Sequence, residues 1–297
     1  MAEIFREVIA RGERLVADGA TGTNYQMRGL ARGEAPEQWL FQEPDKVTQL
    51  HRDFVQAGSN VILTNTFGGT ALRLAHAGLE NDAALVNQRA VQLARAAIRD
   101  ERVWLAGSIG PSGALLEPFG TLTREEAIAQ FAAQAQALAD GGVDLLIIET
   151  QFDLGEATAA YEGARSVTDL PIIVSFSFDM GTNTMMGLKA AQVAKEVTAL
   201  GADAVGVNCG RSLDENLINL QEMRAATHLP IWMKPNAGLP RMTDDDIAIY
   251  DVTPEMMGKA AARWLEAGAQ IVGGCCGTSP QHLREIARAV ENTRVSA

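Results

Sequence analysis

Eight short apolar runs, each followed by a segment with helical spacing, constrain the fold of this chain most strongly. The runs are continuously apolar instead of alternating with polar residues, which is typical of parallel strands buried on both faces. Between them, apolar residues recur every three to four positions and several segments end in glycine, as helices do. The pattern predicts a parallel sheet covered by helices. The predicted strands are residues 14–19, 60–67, 103–110, 144–150, 171–178, 203–209, 230–236 and 270–276.

Eight strand–helix units in a chain of 297 residues match a (β/α)8 barrel, which typically takes about 250 residues. The alternative is a doubly wound open sheet, but the glycine-rich dinucleotide fingerprint of that fold is absent after the first strand. No Pro/Gly/Ser-rich linker or change of composition indicates a second domain. We therefore predict an α/β fold, a single (β/α)8 TIM barrel over residues 1–297.

Composition and charge exclude several classes of function. Hydrophobic residues make up 47% and charged residues 21% of the chain, as in ordinary globular proteins. The net charge of −12 argues against a broad basic surface for nucleic acid or anionic membrane. No run approaches the roughly 18 apolar residues of a membrane span, and the N-terminal segment mixes acidic and basic residues, unlike a signal peptide. We expect a cytoplasmic protein with no nucleic-acid or membrane partner.

All three cysteines of the chain stand at the ends of predicted strands. Cys209 ends the sixth run in "VNCG", and Cys275 and Cys276 end the eighth in "GGCCGT". The carboxyl ends of barrel strands share one rim, so only the seventh strand would separate the three thiols. Buried free cysteines are the alternative interpretation, since cysteine is among the most buried residue types. Their convergence on one rim favours a metal site.

Three thiolates without a fourth cysteine or histidine match Zn²⁺ with an open coordination position, as in catalytic sites. The glycines beside the vicinal pair are expected to bend the chain so that both side chains can reach the metal. A helix is predicted to begin after each cysteine segment, at 212–215 and at 278–283. Helix N-termini stabilise negative charge, which suits a metal held by three thiolates. If the metal leaves, we expect Cys275 and Cys276 to be able to form a disulfide.

Other strand ends carry polar side chains, and Glu149 is the most informative because an unpaired carboxylate at the end of an apolar run is costly. None of the four histidines falls in a strand-end motif, which disfavours a hydrolase with a Ser-His or Cys-His pair. The remaining candidates at this rim are Asp18, Thr66 and Asn236.

These segments together carry a resemblance to a known family. "DGATGT", "TNTF", "SIGPSG", "IIETQFD", "VNCG", "PNAGLP" and "GGCCGTSPQH" resemble the homocysteine S-methyltransferase family. The chain is most similar to the homocysteine-binding module of cobalamin-dependent methionine synthase and less similar to betaine–homocysteine methyltransferase. The resemblance covers nearly the whole chain in order, and "GGCCGT" together with "NC" is its most specific part.

The resemblance implies a zinc-bearing barrel in which Cys209, Cys275 and Cys276 hold the metal and homocysteine binds through its sulfur. Asn236 matches the position that can occupy the open site of the zinc before the substrate arrives; the alternative is a turn-forming residue. Glu149 would bind the substrate ammonium, the alternative being a structural ion pair.

The resemblance also places the rest of the amino-acid pocket. Asp18 would lie beside it, although aspartate is common in turns. The backbone N–H groups of Gly19 and Ala20 would bind the substrate carboxylate. Thr66 would add a hydroxyl, although threonine is also simply a good strand former.

The implied reaction fits the ligands. A coordinating metal deprotonates a thiol that is otherwise mostly protonated at neutral pH. Zinc already surrounded by three thiolates is a weak Lewis acid, so the substrate thiolate remains a nucleophile for a methyl group. No catalytic residue of the protein is needed as a nucleophile, and the product is methionine.

The methyl donor is the feature that the sequence determines least. Cationic donors such as betaine are usually held by aromatic cages, but aromatic residues make up only 5% of this chain. Betaine-type relatives have tyrosines after strands two and four, where this chain has "NTFGGT" and "ETQFDL". Trp39, with help from Phe67 and Phe152, is the candidate on the donor side; core packing is the alternative.

We therefore expect betaine to be a poor donor and a methylated corrinoid, free or on a separate partner protein, to be better. The length of the chain leaves no room for folate-binding or cobalamin-binding domains. Two alternatives stay open: a zinc- or thiol-binding subunit that presents homocysteine to a partner without turnover, and a methyltransferase for small donors such as S-methylmethionine, betaine or another sulfonium.

Overall fold

The structure is a computed structural model that describes residues 4–99, 102–242 and 248–295. Eight parallel strands form one sheet in the order β1-β10-β7-β6-β5-β4-β3-β2. A bridge between Ala17 and Val61 joins β1 to β2 and closes the sheet. The predicted (β/α)8 TIM barrel is therefore confirmed. Its strands are β1 (Leu15–Val16), β2 (Val61–Leu63), β3 (Trp104–Ile109), β4 (Leu145–Gln151), β5 (Ile172–Phe176), β6 (Ala204–Cys209), β7 (Ile231–Pro235) and β10 (Ile271–Val272).

Helices cover the outside of the sheet and follow the strands in turn. Several begin at capping residues: Thr123 and Glu126 form a reciprocal capping box at the start of the helix that precedes β4. The α-helices are α1 (Phe5–Ala10), α2 (Thr21–Met27), α3 (Trp39–Gln42), α4 (Pro44–Gln56), α5 (Ala71–Leu74), α6 (Ala83–Arg95), α7 (Arg124–Gly141), α8 (Leu154–Val167), α9 (Ala190–Leu200), α10 (Leu213–Ala226), α11 (Pro254–Glu266) and α12 (Pro280–Val295).

The barrel strands are buried along nearly their whole length, as their continuously apolar sequences predict. One core lies between the sheet and the helices. A second fills the barrel interior at the amino-terminal ends of the strands, where Phe5 of α1 packs edge-on against Trp104, 5.9 Å between ring centroids. Because α1 closes this end, ligands have access from the carboxyl end, where barrel sites lie.

Two features differ from the sequence prediction. An antiparallel pair, β8 (Arg241–Met242) and β9 (Ala248–Ile249), lies between β7 and α11 and was not predicted. Strands β1 and β10 are two residues long, although the apolar runs 14–19 and 270–276 predicted longer strands. In both places the chain leaves the sheet early to form loops at the carboxyl end. None of the helices in the described ranges is long and apolar enough to cross a membrane.

Candidate metal and substrate site

The three cysteines meet at the carboxyl end of the barrel. Cys209 is the last residue of β6 and pairs with Pro235 of β7, and β10 lies on the other side of β7. Their three sulfur atoms lie within 4.8 Å of one another, and the Sγ atoms of Cys209 and Cys275 are 3.1 Å apart. All three cysteines are free and partly exposed. The structure therefore brings together the thiols that the sequence placed on one rim.

The backbone at the cysteines adopts conformations that few residues tolerate, and these conformations allow the three side chains to converge. Cys209 has a φ of 56°, a left-handed conformation that is costly for a residue other than glycine. In the loop after β10, a Cβ at Gly274 would lie 2.3 Å from the Cγ2 of Thr278, so only glycine fits there. This close approach at Gly274 agrees with the expectation that glycines bend the chain beside Cys275 and Cys276.

Asn236 joins the two cysteine-bearing loops. Its side-chain Nδ2 donates to the carbonyl of Gly210 at 2.9 Å, and its Oδ1 accepts the N–H of Cys276 at 3.0 Å. Its backbone N–H donates to the carbonyl of Cys209 at 3.0 Å. Both ends of the amide therefore have protein partners, and the residue sets the spacing between the loop after β6 and the loop after β10.

Two further polar residues, to which the sequence analysis assigned no role, approach the cysteines. Asn208 donates through Nδ2 to the hydroxyl of Thr150 at 2.7 Å and lies 3.3 Å from the sulfur of Cys209. Thr150 has a φ of 60° and donates its own N–H to Asn208 Oδ1 at 2.9 Å. The signal that could have revealed them is a polar residue near the carboxyl end of each of two apolar strands, β4 and β6, which β5 separates.

Tyr250, beyond β9, is another residue that sequence reasoning missed. Its ring covers Gly277, where a Cβ would lie 2.3 Å from the ring carbon Cγ. Burial, followed by the nearby thiols, raises the pKa of Tyr250, and its hydroxyl is a hydrogen-bond partner of Cys276. No strand-end pattern marks Tyr250, because it reaches the site from the loop between β7 and α11.

The cysteine cluster fits a thiophilic metal ion. In a tetrahedral site with Zn–S bonds of about 2.3 Å, sulfur atoms lie about 3.8 Å apart. The Sγ atoms of Cys209 and Cys275 are closer than this, at 3.1 Å, and all three Sγ atoms lie within 4.8 Å of one another. Small side-chain rotations would therefore bring the three sulfur atoms to the separations of a tetrahedral site. Hydrogen bonds with the thiols of Cys209 and Cys275 lower the pKa of Cys276, while hydrogen bonds with Cys275 and Cys276 raise the pKa of Cys209. One thiol is thus predisposed to ionise first, and a bound cation would stabilise all three thiolates.

Glu149 and Asp18 are buried beneath the cysteines. Glu149 is 7% exposed and accepts a hydrogen bond of 2.5 Å from the Ser108 hydroxyl. Burial raises the pKa of Glu149 to about 7, although Lys234 opposes the shift. Asp18 pairs through Oδ1 with the Lys234 ammonium at 2.6 Å and accepts the Leu63 N–H through Oδ2 at 2.8 Å. Asp18 is thus a partner in a buried ion pair as well as a loop residue.

The other predicted pocket residues have protein partners in this structure. The Ala20 N–H donates to the hydroxyl of Thr278 at 3.1 Å, and a Cβ at Gly19 would lie 2.8 Å from the Phe54 ring. The Thr66 hydroxyl donates to the carbonyl of Ser108 at 2.7 Å, and the hydroxyl of the same Ser108 donates to Glu149. To bind a substrate, the Ala20 N–H and the Thr66 hydroxyl would have to exchange these hydrogen bonds.

The structure places Trp39 in the core. Its side chain is 3% exposed, its ring lies 5.1 Å from that of Tyr25, and the Lys46 ammonium lies 4.8 Å from the ring centroid. The ring is therefore covered on the surfaces that an aromatic cage would use, which favours the packing interpretation. Phe67 and Phe152 remain partly exposed, and Arg73 lies over the ring of Phe67.

Comparison with known proteins relates this chain to one family. The sequence model of the family described as "Homocysteine S-methyltransferase" matches residues 15–290. Two curated relatives are similar in sequence: methionine synthase of Mycobacterium tuberculosis, 29% identical over 94% of this chain, and that of Mycobacterium leprae, 30% identical over 93%. The chain spans about a quarter of the length of these relatives, 25% and 24%.

Solved structures agree in fold. The metallated form of the homocysteine methyltransferase MmuM from Escherichia coli superposes with a TM-score of 0.81, at 24% identity, over 95% of this chain and 98% of that one. Its oxidised form superposes with a TM-score of 0.78, also at 24% identity, over 97% and 98%. At this identity the likeness supports the barrel fold alone.

Proposed function

Because the chain belongs to the homocysteine S-methyltransferase family, we propose that it transfers a methyl group to the thiol of homocysteine and forms methionine. The observation that carries this proposal is the cluster of three thiols at the open end of the barrel, directly above a buried carboxylate. The relatives called methionine synthase are about four times as long, so the reaction is proposed for this barrel and not transferred from them.

In this proposal Cys209, Cys275 and Cys276 hold one Zn²⁺. The bound ion would lower the pKa of a substrate thiol. The rest of the protein orients that thiol. Asn236 keeps the two cysteine loops at a fixed distance through its hydrogen bonds to Gly210 and Cys276. If Asn236 Oδ1 is a metal ligand before the substrate arrives, it must first release its hydrogen bond with the Cys276 N–H.

The amino-acid end of homocysteine is proposed to bind below the cysteines. Glu149 is the partner of the substrate ammonium, because it is buried, borders the site and accepts a side-chain hydrogen bond from Ser108 but from no other described residue. The N–H groups of Gly19 and Ala20 bind the carboxylate, and Thr66 lies beside them. Asp18 contributes through its ion pair with Lys234, which fixes the loop that carries Gly19.

We further propose that the donor is a methylated corrinoid, free or on a separate protein. The burial of Trp39 removes the main aromatic candidate for a cage around a small cation. In addition, large apolar side chains are exposed on the loops after β3 and β5, which suits a large donor better than a small one. They are Leu115, Phe119, Met180, Met185 and Met186. Three free cysteines suit the reducing cytoplasm, where we expect the protein to act.

One observation favours a second candidate function. The chain matches only a quarter of each methionine synthase relative, so it corresponds to one part of a larger enzyme. In this second function the chain is a subunit that binds zinc and presents homocysteine to a partner, without turnover of its own. The same site residues would serve this function.

The test is methyl transfer by the purified chain, with homocysteine as acceptor and methylcobalamin, betaine, S-methylmethionine and dimethylsulfoniopropionate as parallel donors. We expect about one zinc per chain and the fastest methionine formation with methylcobalamin. Cys209→Ala, Cys275→Ala and Cys276→Ala should each lose zinc and activity, whereas Arg211→Ala, an exposed neighbour, should retain both. Zinc and homocysteine binding without turnover would support the presenting subunit, and fast turnover with betaine would contradict the corrinoid proposal.

A further inference from the structure

Lys234 is a buried cation on β7, the strand between β6 and β10, which lead to the cysteines. It is 3% exposed, and no other lysine or arginine in the described part of the chain is buried to this degree. It precedes Pro235, which pairs with Cys209 across β6 and β7 and whose carbonyl accepts the N–H of Cys275 at 2.8 Å. Lys234 therefore lies one residue from the contacts that β7 makes with both cysteine-bearing segments.

The surroundings keep this ammonium charged. Its Nζ lies 2.6 Å from Asp18 Oδ1 and 5.7 Å from the centroid of the Trp232 ring. Burial lowers the pKa of Lys234, but Asp18, Glu149 and Cys275, in that order, raise it, and the net shift is upward. The ammonium thus pairs directly with Asp18 and is stabilised electrostatically by Glu149 and by the thiol of Cys275.

An ion pair with Asp18 alone does not account for a buried lysine here. A buried pair is costly to desolvate, and replacement of both partners by neutral residues is often neutral or stabilising. The groups above Lys234 carry further negative charge, since three thiolates around a divalent cation sum to minus one and Glu149 adds to this when ionised. In a region of low dielectric constant, a positive charge close to such a group has a large effect.

We propose that Lys234 is the counter-charge of the three-cysteine site: its ammonium stabilises the net negative charge of three thiolates that hold a divalent metal. It is a positioning residue, because it acts on the cysteines and their metal from below. This inference rests on the proposed function, in which the cysteines bind zinc. It adds a residue of this chain that determines how tightly they bind it.

The experiment measures zinc affinity by competition with a chromophoric chelator, which requires no turnover. Lys234→Met removes the charge, and Asp18→Asn combined with Lys234→Met removes both charges of the pair and so leaves no uncompensated carboxylate. Each should bind zinc at least about 10-fold more weakly than the original chain, the size of effect seen for groups around metal ligands. Lys234→Arg, which keeps the charge, should stay within about threefold. Lys189→Met, at an exposed lysine, is the matched control and should not change zinc affinity.

The outcomes separate the possibilities. Zinc affinity equal to the original in the double variant would overturn the inference, because Lys234 would then serve only to neutralise Asp18. Equal losses in Lys234→Arg and Lys234→Met would also overturn it, because packing and not charge would be responsible. If the double variant does not fold, the zinc affinities of Lys234→Arg and Lys234→Gln are compared instead, and equal losses in these two variants would overturn the inference. An original chain that binds no zinc would instead contradict the proposed function.

Discussion

At the scale of single residues, the site depends on buried carboxylates whose charge is set by their surroundings. Within the described part of the chain, the Glu149 side chain has one hydrogen-bond partner, Ser108, and burial raises the pKa of Glu149 to about 7. Asp18, equally buried, has two partners in the Lys234 ammonium and the Leu63 N–H. Glu149 is thus the carboxylate with capacity left for a ligand, whereas Asp18 already satisfies both of its oxygens.

Glu149→Gln should weaken homocysteine binding by about 1.5–3 kcal/mol, the usual contribution of a hydrogen bond to a charged group. Zinc content should not change, because Glu149 is not a metal ligand in the proposal. Calorimetric titration with homocysteine measures the first quantity and metal analysis the second. Unaltered affinity in this variant would show that Glu149 has only a structural role.

The stability of the zinc-free chain should depend on pH through the same residue. Burial raises the pKa of Glu149 from 4.5 to about 7, so the folded state favours the protonated carboxyl. Its contribution is fully present below about pH 4.5 and is lost as the pH rises through 7. Relative to Glu149→Gln, the free energy of unfolding should fall by on the order of 3 kcal/mol over this pH range. Urea unfolding of both chains between pH 4.5 and 8 measures the difference, and parallel curves would contradict the shift.

At the scale of elements, the site is assembled by loops that leave three neighbouring strands. Strands β6, β7 and β10 are adjacent: Cys209 is the last residue of β6, Asn236 follows β7 directly, and Cys275 lies in the loop after β10. Ser212 caps α10 by accepting the Glu215 N–H at 3.1 Å, and α12 begins at Pro280, so a helix starts soon after each cysteine segment. Asn236 is the connection between the two loops.

Asn236→Ala should therefore loosen the loops as well as the metal site. It removes two partly buried hydrogen bonds, and we expect a loss of about 1–3 kcal/mol in the free energy of unfolding together with weaker zinc binding. Asn236→Asp keeps an acceptor for the Cys276 N–H but loses the donor to Gly210, so its loss should be smaller. Urea unfolding and chelator competition measure the two effects. Wild-type zinc affinity in Asn236→Ala would show that the cysteine loops hold their positions without this residue.

At the scale of the whole molecule, closure of the barrel brings together residues that are far apart in the chain. Cys209 and Cys275 are 66 positions apart, yet their sulfur atoms are 3.1 Å from each other. The sequence suggested that oxidation would join the vicinal Cys275 and Cys276. The distance indicates that Cys209 and Cys275 are at least as well placed to form the disulfide.

Treatment of the zinc-free chain with diamide should therefore join Cys209 to Cys275, as the two thiols are oxidised and the diamide is reduced to the hydrazine. The product should no longer bind zinc, and prior zinc loading should protect the thiols. Peptide mapping under non-reducing conditions identifies the pair. A map that contains only the Cys275–Cys276 link would show that the local geometry of the vicinal pair prevails over the distance between the strands.

The eight strands, the barrel and the convergence of the cysteines on one rim could all be predicted from the sequence alone. Continuously apolar runs specify parallel strands buried on both faces, and the carboxyl ends of such strands share one rim. Glu149 could be recognised in the same way, because a carboxylate at the end of an apolar run needs a partner.

The hydrogen-bond and ion-pair partners of the side chains could be identified only in the tertiary structure. The ion pair between Asp18 and Lys234 spans 216 positions, and the amide of Asn236 joins two loops that are distant in the chain. The burial of Trp39 against Tyr25 depends equally on how α2 and α3 pack. Local patterns report the periodicity of one segment, whereas hydrogen bonds and burial depend on which segments closure of the barrel places side by side. For this reason the sequence identified the thiols, while the charges beneath them became apparent only in three dimensions.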